Sequence, residues 1–514
     1  MIGTWHKIAI ILFISSSVQN ILRSQEQKIV VKLDDKHEFQ EIKNFGASGC
    51  WYADPIGKNW PIAKKEKLAE MLFSTDTLQD GSPKGIGLSA WRFNIGAGTA
   101  EQGDSSGIYD RNHRVECFLD RQGRYDWTKE EGYQWFLRKA KEYKVADLIG
   151  FVNSPPVFYT KNRLGYSLQK GYTSNLGENR YEDFAAFLAT VVKHFEEDGI
   201  HFTYLSPINE PQWEWRYEFG QAQQEGTPYK NDEIYRLIKI LDNTFEEKHL
   251  STRILFPEAA MLTYLTDKNV IASNQIETFW NPKSEMYLGD SKNVARIAAG
   301  HGYFTDMGDD SIYACRERIA KKTAKYDLEY WQSEYCMLGD GYKDGVENRT
   351  SLDCGLFLAK IIHYDLTVGN ATAWQFWNSF EPGNAKRDTR YYLFALKPEE
   401  NWLDGSFFPT YNLYALGQFS RFIRPGMRRI KVNLSTQKKD LLVSAYKDPK
   451  TKRTVVVIIN YSENGHSIQL KSRHKLFKTF VTDKTHQLKY IGNSKRDQIT
   501  LPSRSIYTLV SEDH

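Results

Sequence analysis

One repeated pattern constrains the fold of this chain most: a short apolar or β-branched run, a polar loop, then a helical stretch. Several runs are apolar without alternation, as expected of strands buried on both faces. Strands that alternate eight times with helices are typical of a (β/α)8 barrel, so we predict an α/β fold with this barrel over residues 41–424. The eight runs are FGASG (45–49), LSAWRFNIG (88–96), ADLIGFVNSPP (146–156), FTYLSPINEP (202–211), RILFPEAA (253–260), ARIAAGHGY (295–303), LEYWQSEY (328–335) and ATAWQFWN (371–378).

Two of the intervening stretches have a clear helical pattern. YEDFAAFLATVVKHFEED (181–198) and NDEIYRLIKILDNTFEEK (231–248) have apolar residues at helical spacing. Asn231 is a candidate N-cap for the second of them.

The sequence changes character after about residue 425. Helical patterns disappear, and short β-prone runs such as DLLVSAYKD and RTVVVIINYS are separated by turn residues such as DPKTK and SENG. We predict a C-terminal β-sandwich over residues 425–514. The early segment KIVVKLDD is also strand-like, so we expect residues 25–40 to form an N-terminal strand that joins this side domain.

The first residues resemble a secretory signal. Lys7 supplies positive charge, and the apolar run IAIILFISSSV (8–18) is too short for a membrane span. We predict a signal peptide over residues 1–24 and a secreted or periplasmic protein without a stable membrane span. A single N-terminal anchor is the alternative.

Cysteine count and charge exclude several classes of protein. Five scattered cysteines without CxxC spacing do not form a disulfide framework or a zinc site, and allow one or two bridges at most. The net charge is +4, and acidic and basic residues are interspersed, so the sequence does not indicate a basic surface for binding nucleic acid. We expect no metal, no cofactor and no nucleic-acid partner, and we expect a monomer.

Two glutamates end runs that a barrel would bring to the same mouth. Glu210 ends the fourth run and Glu334 ends the seventh. Catalytic groups of such barrels lie where strands end, and two facing carboxyl groups suit glycoside hydrolysis. The excess of aromatic residues, with 13 Trp, 30 Tyr and 28 Phe, fits a carbohydrate ligand as well as a large core. Competing carboxylates, which we rank lower, are Glu214, Glu258 and Glu329.

An ordered set of motifs then resembles a known family. SPINEP together with the glutamate-ending YWQSEY looks like the clan A retaining glycoside hydrolases, and more narrowly like glycoside hydrolase family 30. The resemblance covers nearly the whole mature chain. Its further elements are NFGASGCWYAD (44–54), WRFNIGAG (91–98), FVNSPPVFYTK (151–161), HGY (301–303) and ALGQFSRFIRPGMRRI (415–430).

The resemblance implies roles for individual residues. Glu210 would be the acid/base and Glu334 the nucleophile. Arg92 would pair with Glu334, Tyr303 would hydrogen-bond it, and Asn209 would hold the substrate beside the acid/base. The two carboxyl groups should then lie roughly 5–5.5 Å apart, as in retaining enzymes.

The resemblance also implies residues that contact the sugar. His301 and Trp377 would line the subsite of the reacting sugar, and Trp51, Trp213, Trp215 and Phe158 are candidates for stacking at its rim. Structural alternatives stand beside these roles. Arg92 could form an ordinary core ion pair, Trp377 could pack the barrel, and His301 could be a satisfied core histidine. One of the two tryptophans in QWEW could pack under its own loop.

The substrate is the least constrained property. The segment NFGASGCWYADPIG and the loop SPINEPQWEW look most like those of the endo-β-1,6-galactanase members of the family. This resemblance implies that the substrate is a polysaccharide or oligosaccharide of β-1,6-linked galactose. The alternatives are a β-1,6-glucanase, a glucuronoxylanase and a glucosylceramidase-like β-glycosidase. A glucuronoxylanase would need basic residues for the uronate, and Lys161, Arg163 and Arg387 are available. A catalytically inactive carbohydrate-binding protein is the alternative outside the enzymes.

Overall fold

The computed structural model describes residues 28–268, 271–343 and 349–512, so the predicted signal peptide lies outside the described residues. In chain order the strands are β1 (Ile29–Glu41), β2 (Asn44–Ser48), β3 (Ala90–Asn94), β4 (Asp147–Phe151), β5 (Tyr204–Ser206), β6 (Arg253–Ile254), β7 (Ile297–His301), β8 (Glu329–Tyr335), β9 (Ala373–Pro382), β10 (Tyr392–Pro398), β11 (Gly405–Pro409), β12 (Arg428–Leu434), β13 (Leu441–Lys447), β14 (Thr454–Asn460), β15 (His466–Lys471), β16 (Leu476–Thr482), β17 (Lys489–Lys495), β18 (Ile499–Leu501) and β19 (Ser505–Ser511).

Helices lie mainly between the first nine strands. The α-helices in the described residues are α1 (Ala53–Asn59), α2 (Ile62–Phe73), α3 (Thr99–Gln102), α4 (Glu131–Glu142), α5 (Tyr181–Glu197), α6 (Asn231–Glu247), α7 (Leu262–Thr266), α8 (Gln275–Trp280), α9 (Asp309–Lys325), α10 (Ser351–Thr367) and α11 (Tyr411–Ser420). Single 3-10 turns span Gly103–Ser106, Arg111–His113, Val157–Tyr159 and Asp340–Lys343.

Strands β2 to β9 form the predicted (β/α)8 barrel. They pair in parallel from β2 to β6 and from β7 to β9, and β9 also pairs with β2. Between β6 and β7 the contact consists of the parallel bridges Ile254–Val294 and Ala259–Gly300, which close the ring. Each of the eight apolar runs overlaps one of these strands, so the predicted fold class is confirmed.

The largest side chain in the cluster at the centre of the barrel is a tryptophan. Trp331 of β8 is fully buried and packs with a cluster that includes Ala90, Ala299 and Ala373. Tyr204 meets the Trp331 ring edge-on, with 4.8 Å between ring centroids. Layers of inward side chains make the centre of such a barrel a packed core and leave the strand ends for function.

The side domain is a sheet with the strand order β17-β16-β19-β14-β13-β12-β1-β15-β18. The pairs are antiparallel except for β1 and β15, which are parallel. Strand β1 also pairs with β12, so the N-terminal segment lies within this sheet. Two of its strands, β12 and β17, were not predicted, because in both of them exposed or partly exposed residues interrupt the apolar pattern.

The predicted cap of the helix at 231 was wrong. Helix α6 begins at Asn231 itself, and the Asn231 side-chain amide donates to the carbonyl of Ser273. The preceding residue, Lys230, is the N-cap, and its backbone N–H donates to the Glu233 carboxylate over 2.8 Å. An acidic side chain in the first turn therefore stabilises this helix end.

The five cysteines are all buried and free. They act as small apolar packing groups, in agreement with the absence of a disulfide framework in the sequence pattern. Within the residues described, we find no helix whose length and hydropathy would let it span a membrane.

Candidate active site

The carboxyl ends of the barrel strands gather a cluster of buried charged residues. Arg92 lies in β3, Glu334 in β8, and His301 is the last residue of β7. Glu210 and Glu258 follow β5 and β6 by four residues each. None of the five is more than 6% exposed to solvent. Charged groups this deeply buried need partners, and the cluster supplies them.

Two donors hold the carboxylate of Glu334. The Arg92 guanidinium donates from Nη1 to Glu334 Oε2 over 2.6 Å, and the Tyr303 hydroxyl donates to Oε1 over 2.8 Å. Both donors favour the charged form of a carboxyl group. The contacts expected of Arg92 and Tyr303 from the sequence are therefore present in the structure.

The backbone of Glu210 is fixed in a conformation that is uncommon for a residue with a side chain. Its φ is +46°, in the left-handed region. Its N–H donates to the Glu258 carbonyl over 3.0 Å, and its carbonyl accepts the indole N–H of Trp215 over 3.1 Å. Such a backbone costs of order 1–3 kcal/mol and persists where surrounding contacts determine it, often at functional sites.

The observed position of Trp215 corrects one prediction. We expected it at the rim, stacked on sugar, but it is only 8% exposed. Its indole supports the Glu210 loop from below, and its ring packs against Gly226, where an added Cβ would lie 2.3 Å from the ring. This is the alternative in which a tryptophan of QWEW packs under its own loop.

His301 lies beneath the carboxylates and bridges three of them. Its Nδ1 lies 2.8 Å from Glu210 Oε1 and 3.3 Å from Glu334 Oε1, and its Nε2 lies 3.1 Å from Glu258 Oε2. We expected His301 to line the sugar subsite, but it is fully buried and does not line the pocket. The histidine therefore contacts the catalytic candidates instead of facing the sugar.

Burial and nearby charges shift the pKa values of these groups in different directions. Burial raises the pKa of Glu210, and the His301 contact offsets only part of that effect. Burial alone would lower the pKa of His301, but Glu334, Glu210 and Glu258 together raise it to about 10. Burial would likewise raise the pKa of Glu258, yet His301 and Arg92 outweigh it and lower that pKa. The cluster thus favours one protonated carboxyl group, at Glu210.

A pocket of about 240 Å³ opens above the cluster. It combines flat aromatic rings with polar side chains, the combination that binds sugar rings and their hydroxyl groups. The lining residues are Trp51, Asn209, Glu210, Gln224, Tyr303, Glu334, Cys336, Leu338, Trp377, Glu381 and Tyr391. Among the described residues that line it, none is Lys or Arg.

Besides Glu210, Glu334 and Tyr303, three further sequence candidates form part of this lining: Trp51, Trp377 and Asn209. The rings of Trp51 and Trp377 meet edge to face with 5.3 Å between centroids, and His113 stacks on Trp51 at 3.9 Å. The Ser48 hydroxyl donates to the Trp377 carbonyl. Asn209 Oδ1 is buried without a hydrogen-bond partner in the described part of the chain, so it can accept a hydrogen bond from a ligand.

Two other rim candidates lie outside the pocket lining. The Trp213 ring, partly buried, meets Tyr264 and Phe304 edge-on, each with 6.3 Å between centroids. Phe158 lines a different cavity, beside Leu119 and Asp120. Stacking of a sugar in the pocket on either ring is therefore not supported.

The sequence prediction missed three polar or aromatic residues of the pocket: Gln224, Glu381 and Tyr391. Glu381 is at the end of β9, where burial and the charge of Asp110 raise its pKa to about 7. Its position three residues after the FWN of the eighth run is the one signal that could have identified it, because strand ends form the mouth. Gln224 and Tyr391 lie in loops without a recognisable motif.

Donor atoms of Glu210, His301 and Glu334 lie within 4.8 Å of one another, a spacing that a metal ion could span. Each of these side chains already has a hydrogen bond within the cluster. Those bonds account for the spacing, so we assign none of the three as a metal ligand. The expectation of no metal and no cofactor stays a prediction.

A parallel barrel with two buried glutamates facing one aromatic pocket at its mouth defines the class of protein: a (β/α)8-barrel glycoside hydrolase. The model of one family, O-glycosyl hydrolase family 30, matches residues 26–392. The chain belongs to this family.

Solved structures support the same fold. A conserved exported protein from Bacteroides fragilis is 33% identical, with a TM-score of 0.87, over 94% of this chain and 100% of that one. Xylanase C of the same family from Talaromyces cellulolyticus is 19% identical, with a TM-score of 0.65 over 94% and 100% of the two chains. The endo-β1,6-glucanase BT3312 is 16% identical, with a TM-score of 0.63 over 94% and 93%. The last two are similar in fold alone.

Proposed function

We propose that the protein is a retaining β-glycoside hydrolase that works by double displacement, with Glu334 as nucleophile and Glu210 as acid/base. The observation that carries this proposal is the spacing of the two carboxyl groups, whose nearest oxygens lie within 4.8 Å. Retaining enzymes hold their carboxyl groups about 5–5.5 Å apart, and inverting enzymes about 6.5–9.5 Å, since the latter must fit a water molecule between carboxylate and sugar.

The surroundings of each glutamate support its role. Glu334 accepts hydrogen bonds from Arg92 and Tyr303, which favour the ionised form that a nucleophile needs. Glu210 is buried and its pKa is raised, so it begins the reaction with a proton to give. Two carboxyl groups with different protonation are the pattern expected for this chemistry.

The reaction then proceeds in two steps. An oxygen of Glu334 attacks the anomeric carbon, the bond from that carbon to the leaving oxygen breaks, and Glu210 gives its proton to the leaving oxygen. In the second step Glu210 takes a proton from water, the water oxygen bonds to the anomeric carbon, and Glu334 is released as a carboxylate. Asn209, next to the acid/base, is available to hydrogen-bond the reacting sugar.

For the substrate we propose β-1,6-linked galactan. The support is the resemblance of the entry segment NFGASGCWYADPIG and the SPINEPQWEW loop to endo-β-1,6-galactanases. A uronate in the pocket is disfavoured, because the described residues lining it include Glu381 and neither Lys nor Arg. Of the basic residues available for a uronate, Lys161 bonds Ser174 and Glu178, and Arg163 bonds the Phe158 carbonyl.

A polysaccharide panel tests both parts of the proposal. We expect release of oligosaccharides from β-1,6-galactan and little from β-1,6-glucan or glucuronoxylan. Proton NMR should show the β anomer as the first product formed. Turnover should disappear in Glu334→Gln and persist at pH 6 in Glu225→Gln, a matched change of another buried glutamate that does not line the pocket.

Each part of the proposal would be contradicted by a different result. An α anomer formed first would exclude retention. Unchanged turnover in Glu334→Gln would remove the proposed nucleophile. Preference for β-1,6-glucan would leave the mechanism intact and replace the substrate. Binding of glycans without any turnover would favour the inactive carbohydrate-binding protein.

We also propose that the protein is exported. The apolar run at residues 8–18 has the length of a signal core, and the Bacteroides fragilis relative is described as an exported protein. Mass spectrometry of the protein outside the cytoplasm should find its N-terminus between residues 17 and 25. An intact Met1 in that fraction would contradict cleavage.

A further inference from the structure

Glu258 is a third buried carboxylate at the barrel mouth, and the double-displacement mechanism assigns it no role. It is fully buried, and its φ of +52° lies in the left-handed region. Its carboxylate contacts His301 Nε2 at 3.1 Å and accepts a hydrogen bond from the Ser333 hydroxyl. Arg92 Nη2 lies 4.0 Å from its other oxygen. A buried carboxylate is costly to keep, so its position invites a functional explanation.

The contacts of His301 restrict its protonation. If only Nε2 had a proton, the lone pair of Nδ1 would face Glu334 Oε1 at 3.3 Å, an ionised acceptor. If only Nδ1 had a proton, the lone pair of Nε2 would face the Glu258 carboxylate at 3.1 Å. A neutral ring protonated at Nε2 could accept the Glu210 proton at Nδ1 over 2.8 Å, but it would offer Glu334 no donor. The imidazolium, with a proton on each nitrogen, gives a donor to the ionised acceptors on both sides.

The balance of charge in the cluster also favours the imidazolium form of His301. With Glu210 protonated, the negative charges of Glu258 and Glu334 balance the positive charges of Arg92 and an imidazolium at His301. A neutral imidazole would leave one uncompensated negative charge in a cluster that is at most 6% exposed. Unpaired charge in such surroundings is strongly unfavourable.

We propose that Glu258 is a positioning residue that keeps His301 as an imidazolium, so that His301 donates a hydrogen bond to whichever catalytic glutamate is ionised. This inference rests on the proposed roles of Glu210 and Glu334. It concerns the same reaction and adds a residue that touches neither the sugar nor the reacting atoms.

The imidazolium serves both steps of the reaction. Before the first step Glu334 is the ionised partner of Nδ1. When Glu334 bonds to the anomeric carbon and Glu210 loses its proton to the leaving oxygen, the negative charge moves to Glu210, 2.8 Å from the same nitrogen. His301 neither gains nor loses a proton, and the net charge of the buried cluster stays constant. Preorganised donors of this kind stabilise charge without reorganising.

The groups that face His301 are consistent with this form. Glu210 approaches after β5, Glu258 after β6 and Glu334 from β8, and the Tyr303 ring meets the imidazole edge-on at 5.6 Å between centroids. Arg92 is the opposing positive charge, and it contacts the same carboxylates. Glu334, with contributions from Glu210 and Glu258, outweighs burial and raises the pKa of His301 to about 10.

Nitrogen NMR of the free, full-length mature protein tests the proposal without substrate. In protein labelled with ¹⁵N-histidine, the His301 signals, identified by their loss in His301→Gln, should show an imidazolium from pH 5 to pH 9. In Glu258→Gln the same histidine should lose its proton within that range. Glu225→Gln, a second buried glutamate that does not touch His301, should leave the His301 titration as in the unchanged protein.

Kinetics supply the second measurement. We expect kcat of Glu258→Gln to fall about 10- to 100-fold, the range for losing a hydrogen bond to a charged group, with KM nearly unchanged. A purely structural role would lower the amount of folded enzyme without altering the pH at which His301 titrates.

Three outcomes overturn the proposal. A neutral His301 at pH 7 in the unchanged protein would do so even if Glu258→Gln failed to fold. An imidazolium that persists to pH 9 in Glu258→Gln would do so as well, as would unchanged kcat in that variant. Failure of the proposed function would be seen separately, as turnover that survives in Glu334→Gln.

Discussion

Glu225 ties two loops of the barrel mouth together, and we expect it to make the stability of the protein depend on pH. It follows β5 and is fully buried. Its carboxyl group accepts from the Ala97 N–H over 3.2 Å, in the loop after β3, and from the hydroxyl of Thr99 over 2.5 Å, at the start of α3. The adjacent residue, Gln224, lines the pocket. The titration of Glu225 therefore affects the loops that surround the site.

The size of the effect follows from the difference in pKa. Burial raises the pKa of Glu225 from its ordinary value of 4.5 to about 8, although its hydrogen bonds act in the opposite direction. Between these values the folded state binds a proton that the unfolded state has lost, so stability falls as pH rises. The stability is fully present below about pH 4.5 and lost by pH 8. Roughly 3.5 pH units at 1.36 kcal/mol each give about 5 kcal/mol.

The perturbation is Glu225→Gln, which keeps an acceptor for Thr99 and Ala97 but cannot ionise. Urea unfolding, followed by tryptophan fluorescence, gives the free energy of unfolding at pH 5, 6.5 and 8. Relative to the unchanged protein, the variant should gain about 4 kcal/mol between pH 5 and pH 8. Glu197→Gln, at an exposed position of α5, should gain nothing. A gain below about 1 kcal/mol in Glu225→Gln would refute the reasoning.

Three further changes test individual contacts. Tyr303→Phe removes the 2.8 Å hydrogen bond to Glu334. Steady-state kinetics should show kcat lowered about 10-fold or more, with KM nearly unchanged. A raised KM with unchanged kcat would contradict this expectation. Because the pKa of Glu381 is raised to about 7, sugar should bind more tightly above pH 7 than below it, and calorimetry should find this pH dependence absent in Glu381→Gln. Trp215→Phe removes the donor to the Glu210 carbonyl and should cost about 1 kcal/mol of unfolding free energy, measured in urea; no loss would mean that the loop is held by other contacts.

The barrel could be predicted because each of its strands coincides with a short apolar or β-branched run that is followed by a loop and a helical stretch. Even β6, which is only Arg253–Ile254, lies within the apolar run RILFPEAA. Strands β10 and β11, which extend the barrel sheet beyond β9, were not predicted. In the side domain the unpredicted strands are β12 and β17, where exposed residues interrupt the apolar pattern. Their hydrogen bonds to neighbouring strands, which the sequence does not encode locally, define them as strands. The exact division of the chain at residues 40 and 424 stays a prediction.

Contacts that depend on the barrel ring itself could be predicted only in part. The pairing of Arg92 with Glu334 was implied by the family resemblance, and the structure brings the two side chains together. The position of His301 could not be derived, because the side chain of a strand-end residue can face the pocket or lie beneath it. Its neighbour Glu258 was ranked below the catalytic pair, since the sequence does not reveal that both side chains of the His301–Glu258 pair are fully buried.

The segment PQWEW after NEP was expected to help decide which sugar binds. In the structure its two tryptophans pack at the barrel mouth and do not line the pocket. Trp215 bonds the Glu210 carbonyl and Trp213 packs beside Phe304, so the segment supports the backbone of the barrel mouth. The pocket instead takes Gln224 from later in the same loop and Glu381 from the end of β9. Strand ends and the loops that follow them therefore both contribute to the pocket lining. Loops vary without disturbing the barrel, which is why the class of enzyme could be inferred from short motifs and the sugar could not.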